Sequence, residues 1–465
     1  MPPDSEIRAA AAHGPRTSDR VRQVIDGHRQ AVAASPSSVA AEHNLAAALG
    51  DAGRWAEAEV HVRRALAKGG GAAETWLVLG RCRQAQGAFD DAEAAFLEAL
   101  RRRATLYEAH IDLAQLRWMR TGDAAAALTA IDPAIANAPA DSRLTLVKAK
   151  ILESVEQIDE AFALIQSVAR AQPGDLAIAV YASQLASHLG DSASALAHAG
   201  HAVTLAPQEN VAAVALIVAC LGAGEAARAE ALAVELLRRA PDDQHAIALL
   251  ATAWRLMGDA RYQALYDYDA FISASVLGVP ARWSNLADYV EDLRQALRAS
   301  HTMRTHPFNQ SIRHGSQTSD ILSIDDPAIA ALPEALDHSI SQFLAGLGAG
   351  ADPLRRRNLG DYAFQGIWSI RMKAGGYHVD HVHPNGWISS ACYIDVPDIR
   401  TGHEGWIRFG EPGIRTAPAL QAERFIEPAP GMVVLFPSYM WHGVVPYTQP
   451  GARMTFAFDL EPAKA

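Results

Sequence analysis

The feature that most constrains the fold is a period of about 34 residues that runs through the first half of the chain. An alanine recurs at this spacing, at Ala58, Ala92, Ala127, Ala161, Ala195 and Ala229. Glycines stand shortly before most of these alanines, or before the place where the next would fall, at Gly53, Gly87, Gly122, Gly190, Gly224 and Gly258. Prolines follow three of the units, at Pro173, Pro207 and Pro241. Self-similarity of this kind predicts a stack of helical repeats.

The residue types suit a repeating pair of antiparallel helices. Small residues let the two helices approach closely, glycine ends the first helix, and proline ends the second. One pair cannot bury its apolar face alone, so successive pairs stack into a superhelix. We count six repeats between about residues 38 and 241, and a partial seventh that reaches Gly258. A generic alanine-rich helical bundle is the alternative, but repeats that stay in phase favour the solenoid.

The second unit shows the pattern most fully, with Trp76, Leu79, Gly80, Gly87, Ala92, Phe96 and Ala99. It resembles the tetratricopeptide repeat, a helix-turn-helix unit of this length. That resemblance implies an α-solenoid with a groove for a peptide or protein. Repeats of this kind can equally serve for dimerisation or as a scaffold, so a homodimer is also compatible with the sequence.

Composition changes after about residue 260, where alanine becomes sparser and aromatic residues, proline and glycine become more frequent. From Ala363 the apolar residues alternate with period two, and further strands are predicted at 387–396, 405–409, 432–436 and 453–460. Several short strands with turn signals indicate a β-sandwich or barrel. We therefore expect a multidomain α plus β protein. It has a flexible lead-in at 1–37, a solenoid at 38–260, and a region at 261–465 whose leading helices precede a β core at about 360–460.

Charge and cysteine usage exclude several classes. The net charge is −11 and no basic stripe stands out, so we expect no nucleic-acid partner. The cysteines Cys82, Cys220 and Cys392 are far apart and form no metal-binding pair, which suits a reducing cytosol. No long apolar run and no secretory signal are visible, so we expect a cytoplasmic protein without a membrane span.

Two overlapping metal-ligand pairs stand close together in the back half. His378 with Asp380, and His381 with His383, are each two residues apart, and side chains two apart share one face of a strand. In a regular strand the two pairs point to opposite faces, so only one can line a site. Chemistry favours the carboxylate pair, because two histidines and one carboxylate are the usual iron(II) face. Position favours the histidine pair, which lies next to a turn. His442 follows as a distant third ligand.

Arg453 and Thr455 share a face of the last predicted strand. An arginine there can bind a carboxylate through two parallel hydrogen bonds, and the threonine hydroxyl can assist. Arg453 follows His442 by eleven residues, and this spacing together with the Arg-x-Thr pattern makes the pair a candidate anion site.

Residues from about 360 to 460 resemble the prolyl-hydroxylase-like branch of the 2-oxoglutarate/iron(II)-dependent oxygenases. The resemblance lies in Trp368, Gly376, Tyr377, His381-Val-His383-Pro384, Trp387, Ser389, Tyr393, Pro430-Gly431, Leu435-Phe436-Pro437-Ser438, Trp441-His442-Gly443 and Arg453-Met-Thr455-Phe456. It implies a double-stranded β-helix (jelly roll) and an H-x-H-P motif. It implies iron(II) ligands at His381, His383 and His442, and 2-oxoglutarate binding by Arg453 and Thr455. His378 or Asp380 stays open as an alternative ligand.

The leading functional hypothesis joins the two halves. Under this hypothesis the protein is an enzyme that uses iron(II), 2-oxoglutarate and O2 to hydroxylate a side chain of a peptide or protein held in the repeat groove. The alternatives are an oxygenase for a small molecule, with repeats used for assembly, and a repeat scaffold without catalysis.

Overall fold

The computed structural model describes residues 19–139, 141–308, 310–318, 320–398 and 402–463. The chain divides into two compact units. The first contains the chain up to Ile151 together with Thr302–Phe308 and Phe364–Gly366, and the second contains Leu152–His301, Asn309–Ala363 and Ile367–Ala465. Residues 1–18 of the predicted lead-in lie outside the described residues, and its remainder contains the helix Asp19–Ala34.

Helices follow one another almost without interruption up to residue 271. Their bounds are Asp19–Ala34, Val39–Asp51, Trp55–Ala67, Ala73–Ala85, Phe89–Arg102, Tyr107–Thr121, Ala124–Leu128, Asp132–Asn137, Ser142–Ser154, Ile158–Ala171, Leu176–Leu189, Ser192–Leu205, Asn210–Gly222, Ala226–Arg239, Gln244–Met257, Arg261–Leu265 and Tyr268–Phe271. Among the described residues, no helix is both long and apolar enough to cross a membrane.

The repeating alanines pack in the interior and the repeating glycines form the turns, as the sequence predicts. All six periodic alanines are buried. The six periodic glycines have φ between 68° and 81°, a left-handed conformation that glycine adopts without steric cost. Gly80 gives the close approach between helices, since a Cβ there would clash with the ring of Phe96. The predicted N-terminal α-solenoid is confirmed.

Two repeats depart from the regular pattern. In the third, the second helix is broken into Ala124–Leu128 and Asp132–Asn137, where Pro133 begins a new helix. In the fourth, the turn position that glycine occupies elsewhere is taken by Glu156, which has φ of 63°. That conformation is strained for a residue with a Cβ.

In the first unit, the core begins with the earliest helix. Ile25 of Asp19–Ala34 is buried together with Leu45, Leu49, Ala58 and Val62 of the first repeat. The return segment Thr302–Phe308 packs on the helix Tyr107–Thr121, because Nε1 of Trp118 donates to the carbonyl of His306 at 2.8 Å. The ring of Trp118 also stacks on Phe308.

Three further α-helices precede the main strands of the second unit, with bounds Leu286–Ser300, Pro327–Ala330 and Leu332–Leu347. The sequence predicts one helix over Pro327–Leu347, but it breaks at Ala331. Asp326 is its N-cap, since the carboxylate accepts hydrogen bonds from the amides of Ala328 and Ile329.

The described strands are β1 Ser273–Val276, β2 Ile312–Gln317, β3 Tyr362–His381, β4 Ile388–Asp395, β5 Ile407–Phe409, β6 Arg424–Ile426, β7 Met432–Pro437, β8 His442–Val444 and β9 Arg453–Pro462. They form one antiparallel, curled sheet in the order β1-β7-β4-β9-β3-β8-β5-β6, with β2 beside β3. This confirms the predicted β-rich C-terminal class.

The sheet closes over an apolar layer that lies beside the candidate site. Ile312, Ile370, Met372, Val444 and Tyr447 are buried together there. The sequence patterns miss β1, β2, β6 and β8. Three of these have only three or four residues, and β2 carries His314 at φ of 53° and a register shift, so none shows a clean alternation.

Candidate metal and carboxylate site

Three histidines converge where β3 ends beside β8. His381 and His442 are directly paired across the two strands, and His383 follows two residues after His381. One ring nitrogen from each of the three lies within 4.8 Å of the others. Nε2 of His381 is 3.2 Å from Nε2 of His383, and the rings of His381 and His442 are 4.3 Å apart.

Each of the three rings is oriented through its other nitrogen. Nδ1 of His381 lies 2.9 Å from the carbonyl of Val379, and Nδ1 of His442 lies 2.9 Å from the carbonyl of Met440. Nδ1 of His383 lies 2.7 Å from both carboxylate oxygens of Asp459. Carbonyl and carboxylate oxygens accept, so each Nδ1 donates, and a ring that is neutral then has its lone pair on Nε2.

Burial keeps the rings of His381 and His442 neutral. The pKa of His381 falls to about 3, first because burial disfavours the charged ring and then because His383 is near. Burial likewise holds the pKa of His442 well below its usual range. Two lone pairs 3.2 Å apart repel each other unless a cation lies between them. Imidazole–metal bonds of about 2.1 Å place neighbouring ligands about 3 Å apart, so the spacing of the His381 and His383 donors fits a first-row metal ion.

The alternative ligand pair is held elsewhere. Asp380 is buried in an ion pair with Arg408, whose Nε lies 3.0 Å from Oδ1. Nδ1 of His378 lies 2.8 Å from the hydroxyl of Ser311, which is also 3.2 Å from Nε2 of His381. Neither His378 nor Asp380 belongs to the converging group. A register shift between His378 and His381 breaks the strict alternation of β3 and separates the two pairs.

Arg453 is a buried cation at the start of β9, only 2% exposed. Its Nε donates to the carbonyl of Gly405 at 3.1 Å, and its guanidinium lies 5.1 Å from the ring centre of Tyr393. Among the described residues, no carboxylate forms a salt bridge with it. Burial lowers its pKa, as expected for a charge without a counter-ion.

A second buried polar group, the hydroxyl of Tyr393, lies beside Arg453. The hydroxyl of Tyr393 is buried, and no atom within the described ranges makes a hydrogen bond of ordinary geometry with it. Thr455, paired with Tyr393 across β4 and β9, is buried as well. A buried cation without a counter-ion and a buried hydroxyl without a hydrogen bond of ordinary geometry are costly, and a bound carboxylate would satisfy both. The residues therefore fit the distal carboxylate of an oxo acid.

No sequence pattern by itself identifies Asp459, Arg408 or Ser311. Asp459 had a usable signal, since continuing the alternation of β9 from Arg453 and Thr455 reaches it on the same face. Arg408 belongs to the three-residue strand β5, and Ser311 precedes β2, so neither lies in a pattern long enough to analyse.

Within the second unit, the turns between repeat helices hold the segment that connects β5 with β6. Nε of Arg415 donates to the carbonyl of His188 at 2.6 Å, and the amide of Ala417 donates to the carbonyl of Leu221 at 3.1 Å. The guanidinium of Arg255 donates to the carbonyls of Gly410 and Gln421, at 2.7 and 2.8 Å.

The repeat helices and the segment between β5 and β6 also contact residues next to the histidines. Nε1 of Trp441, the residue before His442, donates to Oγ1 of Thr252 in a repeat helix at 3.0 Å. Gly413 of the connecting segment lies so close to the carbonyl of Asp380 that any Cβ there would clash. The C-terminal repeats are therefore part of the structure that supports the candidate site.

Comparisons with known proteins agree with this description. Residues 366–459 match the family model described as "Putative 2OG-Fe(II) oxygenase". No curated protein matches the chain. The chain combines tetratricopeptide-type repeats with a C-terminal domain that matches this oxygenase family.

Several solved structures are similar to parts of the chain. A prolyl-4-hydroxylase from Pseudomonas putida is 18% identical and has a TM-score of 0.30; the match covers 43% of this chain and 97% of that one. The tetratricopeptide-repeat protein TTC0263 from Thermus thermophilus is 22% identical with a TM-score of 0.31, covering 40% and 100%. The tetratricopeptide-repeat protein YrrB, described as having an unusual peptide-binding site, is 18% identical with a TM-score of 0.28, covering 40% and 96%.

Proposed function

We propose that this protein is an iron(II)- and 2-oxoglutarate-dependent oxygenase that hydroxylates a side chain of a peptide or protein recruited by its repeats. The observation that carries the proposal is the convergence of His381, His383 and His442, each with Nδ1 hydrogen-bonded to a carbonyl or carboxylate oxygen, so that Nε2 is the nitrogen with which each ring could bind a metal. When bound, iron(II) supplies the oxidative decarboxylation of 2-oxoglutarate by O2, which yields succinate, carbon dioxide and a hydroxylated substrate.

In this proposal the chain's own residues bind and orient. The three Nε2 atoms would hold the metal, and three protein ligands would leave it free to bind cosubstrate and oxygen as well. Arg453 holds the distal carboxylate of 2-oxoglutarate through its planar guanidinium, and Thr455 assists. The apolar layer around Met372 and Val444 excludes water beside the site. A cytosolic location fits the buried free thiols of Cys82, Cys220 and Cys392.

The experiment that tests recruitment is succinate release by the purified full-length chain, supplied with iron(II), 2-oxoglutarate and a peptide library. We expect some peptides to raise the rate and to gain one oxygen atom, seen by mass spectrometry. Peptides that never stimulate turnover, while a small molecule does, would contradict recruitment.

A second candidate is an oxygenase for a small molecule, with the repeats as structural support. It is favoured by the contacts that the repeat turns make with the segment between β5 and β6. The two candidates differ in the effect of substitutions on exposed positions of the repeat helices away from those turns. Under recruitment, such substitutions raise the KM for the peptide. Under structural support, they leave turnover of the small molecule unchanged.

A further inference from the structure

Asp459 of β9 stands directly behind one of the three converging rings. Both of its carboxylate oxygens lie 2.7 Å from Nδ1 of His383, and the two side chains are only 13% and 14% exposed. The other two rings have neutral main-chain carbonyls in this position, from Val379 and Met440. His383 is therefore the one ring of the three that is backed by a negative charge.

The carboxylate is itself fixed in place. The hydroxyl of Ser389 donates to Oδ1 of Asp459 at 2.7 Å, and Ser389 lies directly opposite Asp459 on β4. The hydroxyl of Ser438 lies 2.8 Å from that of Ser389 and continues the network. In the described ranges, His383 is the one salt-bridge partner of Asp459. No lysine or arginine there competes for its charge.

The charge matters because three neutral imidazoles bring none to a metal ion. The usual iron(II) face has two histidines and one carboxylate, which offsets part of the metal's charge. The carboxylate nearest in sequence, Asp380, is bound by Arg408. A carboxylate hydrogen-bonded to the far nitrogen of a ligating histidine fixes the ring and raises its basicity.

We propose that Asp459 acts through His383 as the anionic partner that the three-histidine set lacks, and that it tunes the affinity for iron(II) and the reduction potential of the bound iron. Asp459 is thus a positioning residue, since it touches the metal only through His383. The inference rests on the proposed function because it takes His383 as a metal ligand.

The variants separate charge from hydrogen bonding. Asp459→Asn keeps a side-chain oxygen that accepts from Nδ1 of His383 but removes the charge. Asp459→Ala removes both, and Ser389→Ala leaves Asp459 in place but loosens it. Glu461→Gln is the matched control, since it removes one negative charge from the same strand two residues further along.

The measurement is a competition titration of iron(II), and of cobalt(II) as a spectroscopic probe, on the full-length chain against a chromophoric chelator. We expect Asp459→Asn to weaken binding about 10-fold and Asp459→Ala about 100-fold, the range seen when such supporting groups are removed. The potential of bound iron should become more positive in Asp459→Asn. Ser389→Ala should show smaller changes in the same direction, and Glu461→Gln should behave like the wild type.

Wild-type affinity, cobalt spectrum and potential in Asp459→Asn would overturn the inference. The inference would also be overturned if Ser389→Ala had wild-type metal affinity and cobalt spectrum and the iron potential of Asp459→Asn were unchanged. Two further variants, His381→Ala and His442→Ala, show which idea has failed. If they lose the metal while Asp459→Asn keeps it, only the role of Asp459 is wrong. If they bind metal like the wild type, the metal site itself is wrong.

Discussion

The guanidinium of Arg408 holds the carboxylate of Asp380 at two points, with Nε 3.0 Å from Oδ1 and a terminal nitrogen on Oδ2. This ion pair keeps Asp380 on the side of β5, while His381, the next residue, joins His383 and His442. Two ligand pairs that look equivalent in the sequence therefore differ in what surrounds them.

The first prediction separates these two pairs. Asp380→Asn should keep its metal affinity but lower the free energy of unfolding by about 1–3 kcal/mol, because the charge-assisted hydrogen bonds that Arg408 donates to this buried side chain are weakened. His383→Ala should lose metal binding. Urea denaturation and metal titration of both variants test this. Loss of the metal in Asp380→Asn, with retention in His383→Ala, would instead assign the ligands to the other pair.

Arg453 gives the second prediction. Arg453→Lys keeps the positive charge but loses the planar fork, so the affinity for 2-oxoglutarate should fall about 10- to 100-fold. Metal affinity should not change. Isothermal titration with 2-oxoglutarate measures the effect, and Thr455→Val is the milder companion, since it removes one hydroxyl. An unaltered affinity in Arg453→Lys, in a variant with a wild-type melting temperature, would argue against this residue as the carboxylate site.

Glu156 gives a prediction about stability. Its left-handed φ of 63° costs a residue with a Cβ roughly 1–2 kcal/mol, and glycine avoids that cost but loses about 0.5–1 kcal/mol of chain entropy. Glu156→Gly should therefore stabilise the fold by roughly 0.5–1 kcal/mol. The change also removes the hydrogen bond from the Tyr377 hydroxyl, 3.3 Å long, so Tyr377→Phe is the control for that loss alone. Chemical denaturation measures the free energy of unfolding of both variants. If Glu156→Gly is less stable than the control Tyr377→Phe, residue 156 is not strained in the wild type.

The fourth prediction concerns acid stability. His301 is held by the hydroxyls of Ser316 and Ser369, and burial, assisted by Arg371, lowers its pKa to about 4. Unfolding restores a pKa of about 6.5, so the unfolded chain binds more protons between these values. His301 therefore contributes stability above about pH 6.5 that is lost as the pH falls towards 4, with a slope of up to about 1.4 kcal/mol per pH unit. Denaturation midpoints from pH 7 to pH 4 should fall less steeply in His301→Gln. Identical slopes would contradict the assignment.

The repeats were predictable because their signal is local and recurs. Gly53, Gly87 and their equivalents mark turns whose φ only glycine adopts easily, and each periodic alanine is buried. The sequence shows that residue 156 is not a glycine, but it does not show that Glu156 adopts the left-handed φ of the glycines. Whether a glutamate would adopt the same φ depends on the packing of the flanking helices.

Strand alternation predicts the members of the candidate site but does not choose between the two ligand pairs, and in the sequence the adjacent turn and the family resemblance favour His381 and His383. The alternation rule assumes an unbroken strand, and β3 shifts register between His378 and His381. Asp380 is held apart from the histidines by its ion pair with Arg408, a residue 28 positions further along the chain. The contacts of Arg415 and Ala417 with the repeat turns are equally long-range, and no local pattern encodes them.

The most direct test of the central claim is the release of succinate from 2-oxoglutarate by the full-length protein in the presence of iron(II) and O2, compared with His442→Ala. We expect the wild type to bind about one iron per chain and to decarboxylate 2-oxoglutarate, and we expect the variant to do neither while keeping its fold by circular dichroism. A wild-type protein that binds no iron and releases no succinate would contradict the account.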